Sequence, residues 1–67
     1  MQKQVAIERK PSVLQRTGMS NSTLYEEVAA GRFPKPVKIG ARSVGWISTE
    51  VDAWIEQRIE QRDQEAA

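Results

Sequence analysis

The segment Thr17–Tyr25 constrains the fold of this chain more than any other part of the sequence. Gly18 can adopt the left-handed conformation that ends a helix. Ser20 can then cap a second helix by accepting a hydrogen bond from the amide of Ser22 or Thr23. Two helices joined by so short a turn cross at a steep angle. The segment therefore predicts a helix-turn-helix.

The composition indicates one small folded domain without a metal site. The chain has 67 residues, of which 39% are hydrophobic and 28% charged, which fits a folded rather than a disordered chain. Cys and His are absent, so disulfides, zinc-finger sites and His-based catalysis are excluded. No apolar run of about 18 residues and no signal peptide occur, and the absence of cysteine is compatible with the cytoplasm. We expect a cytoplasmic, nucleoid-associated protein with no membrane partner. No cofactor and no metal are expected.

The residues before and within this segment predict a strand and two helices. Val5 and Ile7 alternate with polar neighbours, so residues 1–9 can form a short strand or an arm. The first helix is expected from Pro11 to Thr17, because proline suits the first helical position. The second helix is expected from the Ser20 cap to Gly31. The residues expected to face inward are Val13, Leu14, Leu24 and Val28.

After the second helix the sequence predicts a two-stranded hairpin. Phe33 is expected in the core, and the two prolines that follow it favour an extended path. Val37–Ile39 and Val44–Ile47 have the pattern of strands, and residues 40–43 have the composition of a turn. A hairpin of this kind beside a helix-turn-helix is called a wing.

A third helix is expected to begin near Ser48 or Thr49. Its apolar residues recur at spacings of three and four, which predicts a stripe facing the core. This stripe consists of Val51, Trp54, Ile55 and Ile59. Trp46 is also expected to pack in the core; the alternative, stacking of its ring on a nucleic-acid base, is less favoured. The fold predicted for residues 1–67 is mainly α, a winged helix-turn-helix of three helices plus a wing, with frayed ends at 1–6 and 63–67.

The exposed side of the second helix is the first candidate for binding chemistry. Asn pairs with adenine edges, Ser with bases or phosphates, and Glu accepts from the cytosine amino group. The alternative is a merely solvated face, but the turn and cap favour a recognition helix in a DNA groove. Glu26 and Glu27 would repel phosphates and lower non-specific affinity. The candidate DNA-binding residues of this helix are Ser20, Asn21, Ser22, Thr23, Tyr25 and Glu26.

The uneven distribution of charge makes the hairpin the second candidate. Residues 1–47 carry eight Lys and Arg against three acids, whereas residues 48–67 carry two against six. One part can therefore face a polyanion while the other points away. If four to six of these cations contacted phosphates, a plot of log affinity against log salt concentration would have a slope of about −4 to −5. The alternative is a solubilising strand edge. The candidate residues of the wing and its flank are Arg32, Lys35, Lys38, Arg42 and Ser43.

The last helix carries an acidic stripe, which consists of Asp52, Glu56, Glu60 and Asp63. No nucleophile–base pair or phosphate loop accompanies it, so a solvated helix face is favoured over a catalytic or metal site. A docking surface for a basic partner, or for a second copy of the chain through Ile55 and Ile59, remains as the alternative.

Several segments together resemble the AlpA-like prophage regulators. They are Pro11–Leu14, Arg16–Ser20, Ser22–Tyr25, Gly31–Gly40, Arg42–Trp46 and Glu50–Ile55. The resemblance covers about residues 7–62 and implies a small winged helix-turn-helix of the MerR-like kind, which phage excisionases also use. It implies DNA contacts from Ser20 through Tyr25 and from Lys38 and Arg42. Glu26 departs from the family pattern, in which this position is often basic or neutral.

The residues predict a non-enzymatic, sequence-specific DNA-binding protein. The resemblance implies a transcriptional regulator of a prophage or integrated element, acting on integrase expression. Two alternatives remain open. One is an excisionase that bends attachment-site DNA, and the other is a protein-interaction adaptor, for which Glu26 and Glu27 argue. The expected partners are double-stranded DNA and either an RNA polymerase or a phage integrase. The protein is expected to act as a monomer or as copies that associate weakly on tandem sites, because one copy of this size has only a limited footprint on DNA.

Overall fold

The computed structural model describes residues 5–66 and contains three helices and a small antiparallel sheet. In chain order the elements are β1 (Ile7–Glu8), α1 (Lys10–Thr17), α2 (Asn21–Ala29), β2 (Val37–Lys38), β3 (Val44–Ile47) and α3 (Ser48–Ala66). This architecture confirms the predicted class, a mainly helical winged helix-turn-helix. In residues 5–66 no helix combines the length and apolar character needed to cross a membrane.

The turn between α1 and α2 has the predicted chemistry. Gly18 has a φ of 75°, in the left-handed region, and its amide donates to the carbonyl of Leu14 at 2.8 Å. Ser20 is the N-cap of α2, and its Oγ accepts from the amide of Thr23 at 3.2 Å. The glycine ends one helix and the serine starts the next, so the two helices are joined by only three residues.

The end of α2 is closed by a Schellman motif. Gly31 has a φ of 77°, and its amide donates to the carbonyl of Val28 at 3.1 Å. The amide of Arg32 donates to the carbonyl of Glu27 at 2.9 Å. This pair of hydrogen bonds satisfies the last carbonyls of the helix and turns the chain towards the hairpin.

The sheet has three strands in the order β1-β3-β2, so β1 adds a strand to the predicted hairpin. Ile7 pairs with Ile47 and Val37 with Gly45, both in antiparallel register. Ala6 exchanges hydrogen bonds with Ser48, because its amide donates to Ser48 Oγ at 3.0 Å and its carbonyl accepts from the Ser48 amide at 2.8 Å. Fraying was predicted for residues 1–6, of which 1–4 lie outside the described residues.

The core lies where α1, α2 and α3 meet the sheet. Its buried residues are Val13, Leu24, Phe33, Trp46 and Val51. Phe33 makes edge-on contacts with Trp46 and Trp54, with ring centroids 6.5 and 5.1 Å apart. Both indole nitrogens find acceptors, because Trp46 Nε1 donates to the Pro34 carbonyl at 2.8 Å and Trp54 Nε1 to the Arg32 carbonyl at 3.0 Å. Phe33 and Trp46 are therefore core residues, as predicted.

The second half of α3 differs from expectation. Ile59 was predicted to be a core residue, but its side chain is 45% exposed, so the apolar stripe ends at the half-buried Ile55. Residues 63–66 were expected to fray, but they continue the helix, and Ala67 lies outside the described residues. The small core is already covered by the first two turns of α3. The rest is composed mainly of Glu, Gln and Arg, which have high helix propensity.

Candidate nucleic-acid interface

The outward face of α2 is polar and exposed. Leu24 is buried and Val28 half-buried, so the residues on the opposite side of the helix are exposed. Within residues 5–66, the side chains of Asn21, Ser22 and Glu26 make no hydrogen bond and no ion pair, and Tyr25 is 45% exposed. These side chains offer amide, hydroxyl and carboxylate groups to a ligand, which are the groups that read base edges in the major groove.

Ser20 and Thr23 have a structural use that the other predicted residues of α2 lack. Ser20 Oγ accepts from the Thr23 amide and donates to Thr23 Oγ1 at 2.9 Å. Both hydroxyls therefore serve the cap that starts the helix. Contacts of these two residues with DNA stay a prediction. Among residues 5–66, the exposed side chains of this face that make no hydrogen bond are those of Asn21, Ser22, Tyr25 and Glu26.

Glu27 was expected to repel phosphates together with Glu26, but the structure places it against α3. Its side chain is only 13% exposed, and Oε1 accepts from Arg58 at 3.4 Å while Oε2 accepts from Arg32. The hydrogen bond from Arg32 lowers the pKa of Glu27 below its ordinary value. Two guanidinium groups balance this carboxylate, so its repulsion of a phosphate is largely cancelled.

Arg32 was grouped with the basic residues of the wing, but it belongs to the joint between α2 and the hairpin. Its Nε and Nη2 donate to Glu27 Oε2 at 3.0 and 2.6 Å, and its carbonyl accepts from the indole of Trp54. The hydrogen bond to Glu27 raises the pKa of Arg32. The Arg32 side chain stays 62% exposed, but its charge is paired with Glu27, unlike the charges of the hairpin cations.

The wing carries three cations that have no partner of opposite charge among residues 5–66. Lys35 precedes β2, Lys38 lies in it, and Arg42 lies in the turn before β3, all exposed. Within the described part of the chain none of them forms an ion pair. Ser43 shapes this turn through its carbonyl, which accepts from the amides of Ile39 at 2.8 Å and Gly40 at 3.4 Å. The hairpin therefore presents uncompensated positive charge.

Arg16 links α1, in which it lies, to β1 and α3. Its guanidinium forms ion pairs with Glu8 of β1 and Asp52 of α3, and Ser12 Oγ donates to Glu8 Oε1 at 2.7 Å. The hydrogen bond to Asp52, together with the charges of both carboxylates, raises the pKa of Arg16. Asp52 was predicted to belong to a solvated acidic stripe, but it fastens α3 to α1.

Lys10 was not among the predicted site residues, and the structure places it beside α2. It is the first residue of α1, and its Nζ lies 5.4 Å from the centroid of the Tyr25 ring. The two residues are 15 positions apart and meet only because the turn brings α1 and α2 together. No local pattern in the sequence signals this contact. Across residues 5–66 no cluster of His, Cys, Asp or Glu has an arrangement that would hold a metal ion.

Comparison with known proteins relates this geometry to a family. Residues 6–59 match the family described as "Prophage CP4-57 regulatory protein (AlpA)". The chain belongs to the AlpA family. The match begins beside β1 and ends in α3 at Ile59, and it includes every residue predicted for the interface as well as Lys10.

Two relatives support this assignment to the AlpA family. The "DNA-binding transcriptional activator AlpA" of Escherichia coli (strain K12) is 42% identical, across 81% of this chain and 86% of its own length. The "Uncharacterized protein ORF88" of Enterobacteria phage P4 is 43% identical, across 76% of this chain and 58% of its own length. The predicted resemblance to AlpA-like prophage regulators is therefore confirmed.

Proposed function

We propose that this protein is a sequence-specific DNA-binding transcriptional regulator of a prophage or integrated element, and that it acts without catalysis. The observation that carries the proposal is a helix-turn-helix with a polar, exposed outward face on α2, together with hairpin cations that form no ion pair within residues 5–66. Membership of the AlpA family and 42% identity to a relative named as a DNA-binding transcriptional activator support the same conclusion.

In the proposed complex α2 lies in the major groove of double-stranded DNA. The amide of Asn21 and the hydroxyl of Ser22 reach base edges, and Glu26 accepts from a cytosine amino group where one is present. A single exposed carboxylate on this face penalises phosphates and mismatched acceptors, so it favours selectivity over tight non-specific binding.

The wing supplies electrostatic affinity in this arrangement. Lys38 and Arg42 contact phosphates or the adjacent minor groove, and Lys35 adds charge beside them. Because Arg32 is paired with Glu27, it is not counted among the phosphate contacts. About three to five contacts would give a slope of about −3 to −5 in log affinity against log salt.

The regulatory output that we propose is activation of an integrase gene, with an RNA polymerase as the protein partner. An excisionase would instead bind repeated sites near an attachment site and act with an integrase. A protein-interaction adaptor is less well supported, because the charge of Glu27, one of the two acids that suggested it, is balanced by Arg32 and Arg58. Weakly associating copies on tandem sites would extend the small footprint.

The decisive experiment is the selection of bound sequences from random DNA duplexes, followed by titration at several salt concentrations. We expect an enriched motif for the parent protein and a relaxed motif for Asn21→Ala. The control variant is Gln57→Ala, which removes an exposed amide from α3 and should leave the motif unchanged. An absence of both enrichment and salt-dependent affinity would contradict the proposal. Footprinting of promoter and attachment regions then separates an activator from an excisionase.

A further inference from the structure

We propose that Lys10 and Tyr25 form a binding site for one phosphate of the DNA backbone, at the edge of the recognition helix. This inference rests on the proposed function, because the ligand is a phosphodiester of the duplex that α2 enters. The site combines the first residue of α1 with a residue on the outward face of α2.

The contact between the two side chains restrains both of them. Lys10 Nζ lies 5.4 Å from the ring centroid of Tyr25, within the range of a cation–π interaction. A lysine side chain has many rotamers in solution and loses that freedom when it binds. Here the Tyr25 ring holds the ammonium group beside the exposed face of α2. Part of the conformational entropy that Lys10 would lose on binding DNA is therefore already lost in the free protein.

The charge of Lys10 is available to a ligand. Within residues 5–66 no carboxylate pairs with it, whereas Arg16 and Arg32 are held by Glu8, Asp52 and Glu27. An ammonium group has three hydrogen-bond donors, and a phenol hydroxyl adds another. A phosphodiester oxygen accepts such hydrogen bonds and carries the opposite charge. The pair therefore has the chemistry of a phosphate contact.

A phosphate bound here would fix the position of α2 in the groove. Phosphate contacts set the register and orientation of a protein on the duplex, and base contacts then read the sequence. The wing supplies its contacts from β2 and the turn before β3, and Lys10 supplies one from α1. The recognition helix would then be anchored through separate elements of the fold.

The first test is the salt dependence of binding by Lys10→Gln. We expect affinity to fall several-fold by a similar factor on matched and mismatched duplexes, and the slope against log salt to decrease by about 0.9. The control is Arg62→Gln, which removes one positive charge from the exposed end of α3 and should leave the slope unchanged. Equal losses in the two variants would show an effect of net charge and would overturn the site.

The second test replaces single phosphates of the duplex with neutral methylphosphonates. One position should weaken binding by the parent protein and have little effect on Lys10→Gln, because the variant has already lost that contact. Tyr25→Phe keeps the ring and should show an intermediate loss at the same position. If the parent protein binds its selected motif but no phosphate couples to Lys10, this inference fails while the proposed function stands. Thermal unfolding of each variant checks that it is folded.

Discussion

Arg32 donates two hydrogen bonds to one carboxylate oxygen of Glu27, from Nε at 3.0 Å and from Nη2 at 2.6 Å. The main chain repeats this link, since the amide of Arg32 donates to the carbonyl of Glu27 at 2.9 Å. In a Schellman motif these two positions usually make an apolar contact. Here an ion pair replaces the apolar contact. It holds Arg32, which begins the segment that leads to the wing, against the end of α2.

This relationship predicts that Arg32 and Lys38 have different effects on DNA binding. Lys38→Ala should decrease the slope of log affinity against log salt by about 0.9 and leave the melting temperature nearly unchanged. Arg32→Ala should leave that slope unchanged and lower the melting temperature, because it breaks the link between α2 and the hairpin. Fluorescence anisotropy across a salt series and thermal unfolding measure the two quantities. A slope reduced equally in both variants would place Arg32 on DNA.

The same ion pair predicts a pH dependence of stability. The hydrogen bond from Arg32 lowers the pKa of Glu27 from an ordinary value of 4.5. A carboxyl group whose pKa is lower in the folded state stabilises the fold fully above pH 4.5, and this stabilisation is lost as the pH falls through the folded-state pKa. Urea unfolding between pH 7 and pH 3 should therefore show a steeper acid loss for the parent protein than for Glu27→Gln. Parallel curves would contradict this role of Glu27.

Arg42 lies in the turn at the tip of the wing, and its loss should weaken binding without affecting the fold. Arg42→Ala should lower affinity several-fold and decrease the salt slope by about 0.9 per lost contact. Arg42→Lys should restore the slope but not all of the affinity, because lysine lacks the planar guanidinium that suits a narrow minor groove. Titrations at several salt concentrations measure both effects. A parent-like slope for Arg42→Ala would remove the wing tip from the interface.

The sequence predicted those features that depend on local chemistry. Gly18 and Ser20 mark the turn because their conformational and capping preferences act within a few residues. The surroundings of Glu27 and Lys10 depend on how helices pack, so the partners Arg58 and Tyr25 lie 31 and 15 positions away. Ile59 was misplaced because its helical spacing continues the apolar stripe beyond the point where the small core ends. Periodicity identifies the face of a helix but not how far along it the neighbours extend.

The sheet that supports the wing depends on the absence of a side chain at Gly45. A Cβ at this position in β3 would lie 2.8 Å from Ile39 Cδ1 and 2.9 Å from the carbonyl oxygen of Glu8, and would also meet the side chain of Ile7. The carbonyl belongs to β1, so it can move only if the pairing between β1 and β3 is disturbed.

Gly45→Ala should therefore destabilise the protein by about 1–3 kcal/mol, as overpacking of a close-packed interior does. In a domain of this size each 1 kcal/mol lowers the melting temperature by about 4–8 °C. The control is Gly40→Ala, since a Cβ there has no heavy atom within 4 Å and should leave the melting temperature nearly unchanged. Calorimetry of the two variants decides the matter, because equal melting temperatures would mean that β1 does not lie against Gly45. DNA affinity should fall only for Gly45→Ala, since β2, which carries Lys38, pairs with β3 at this residue.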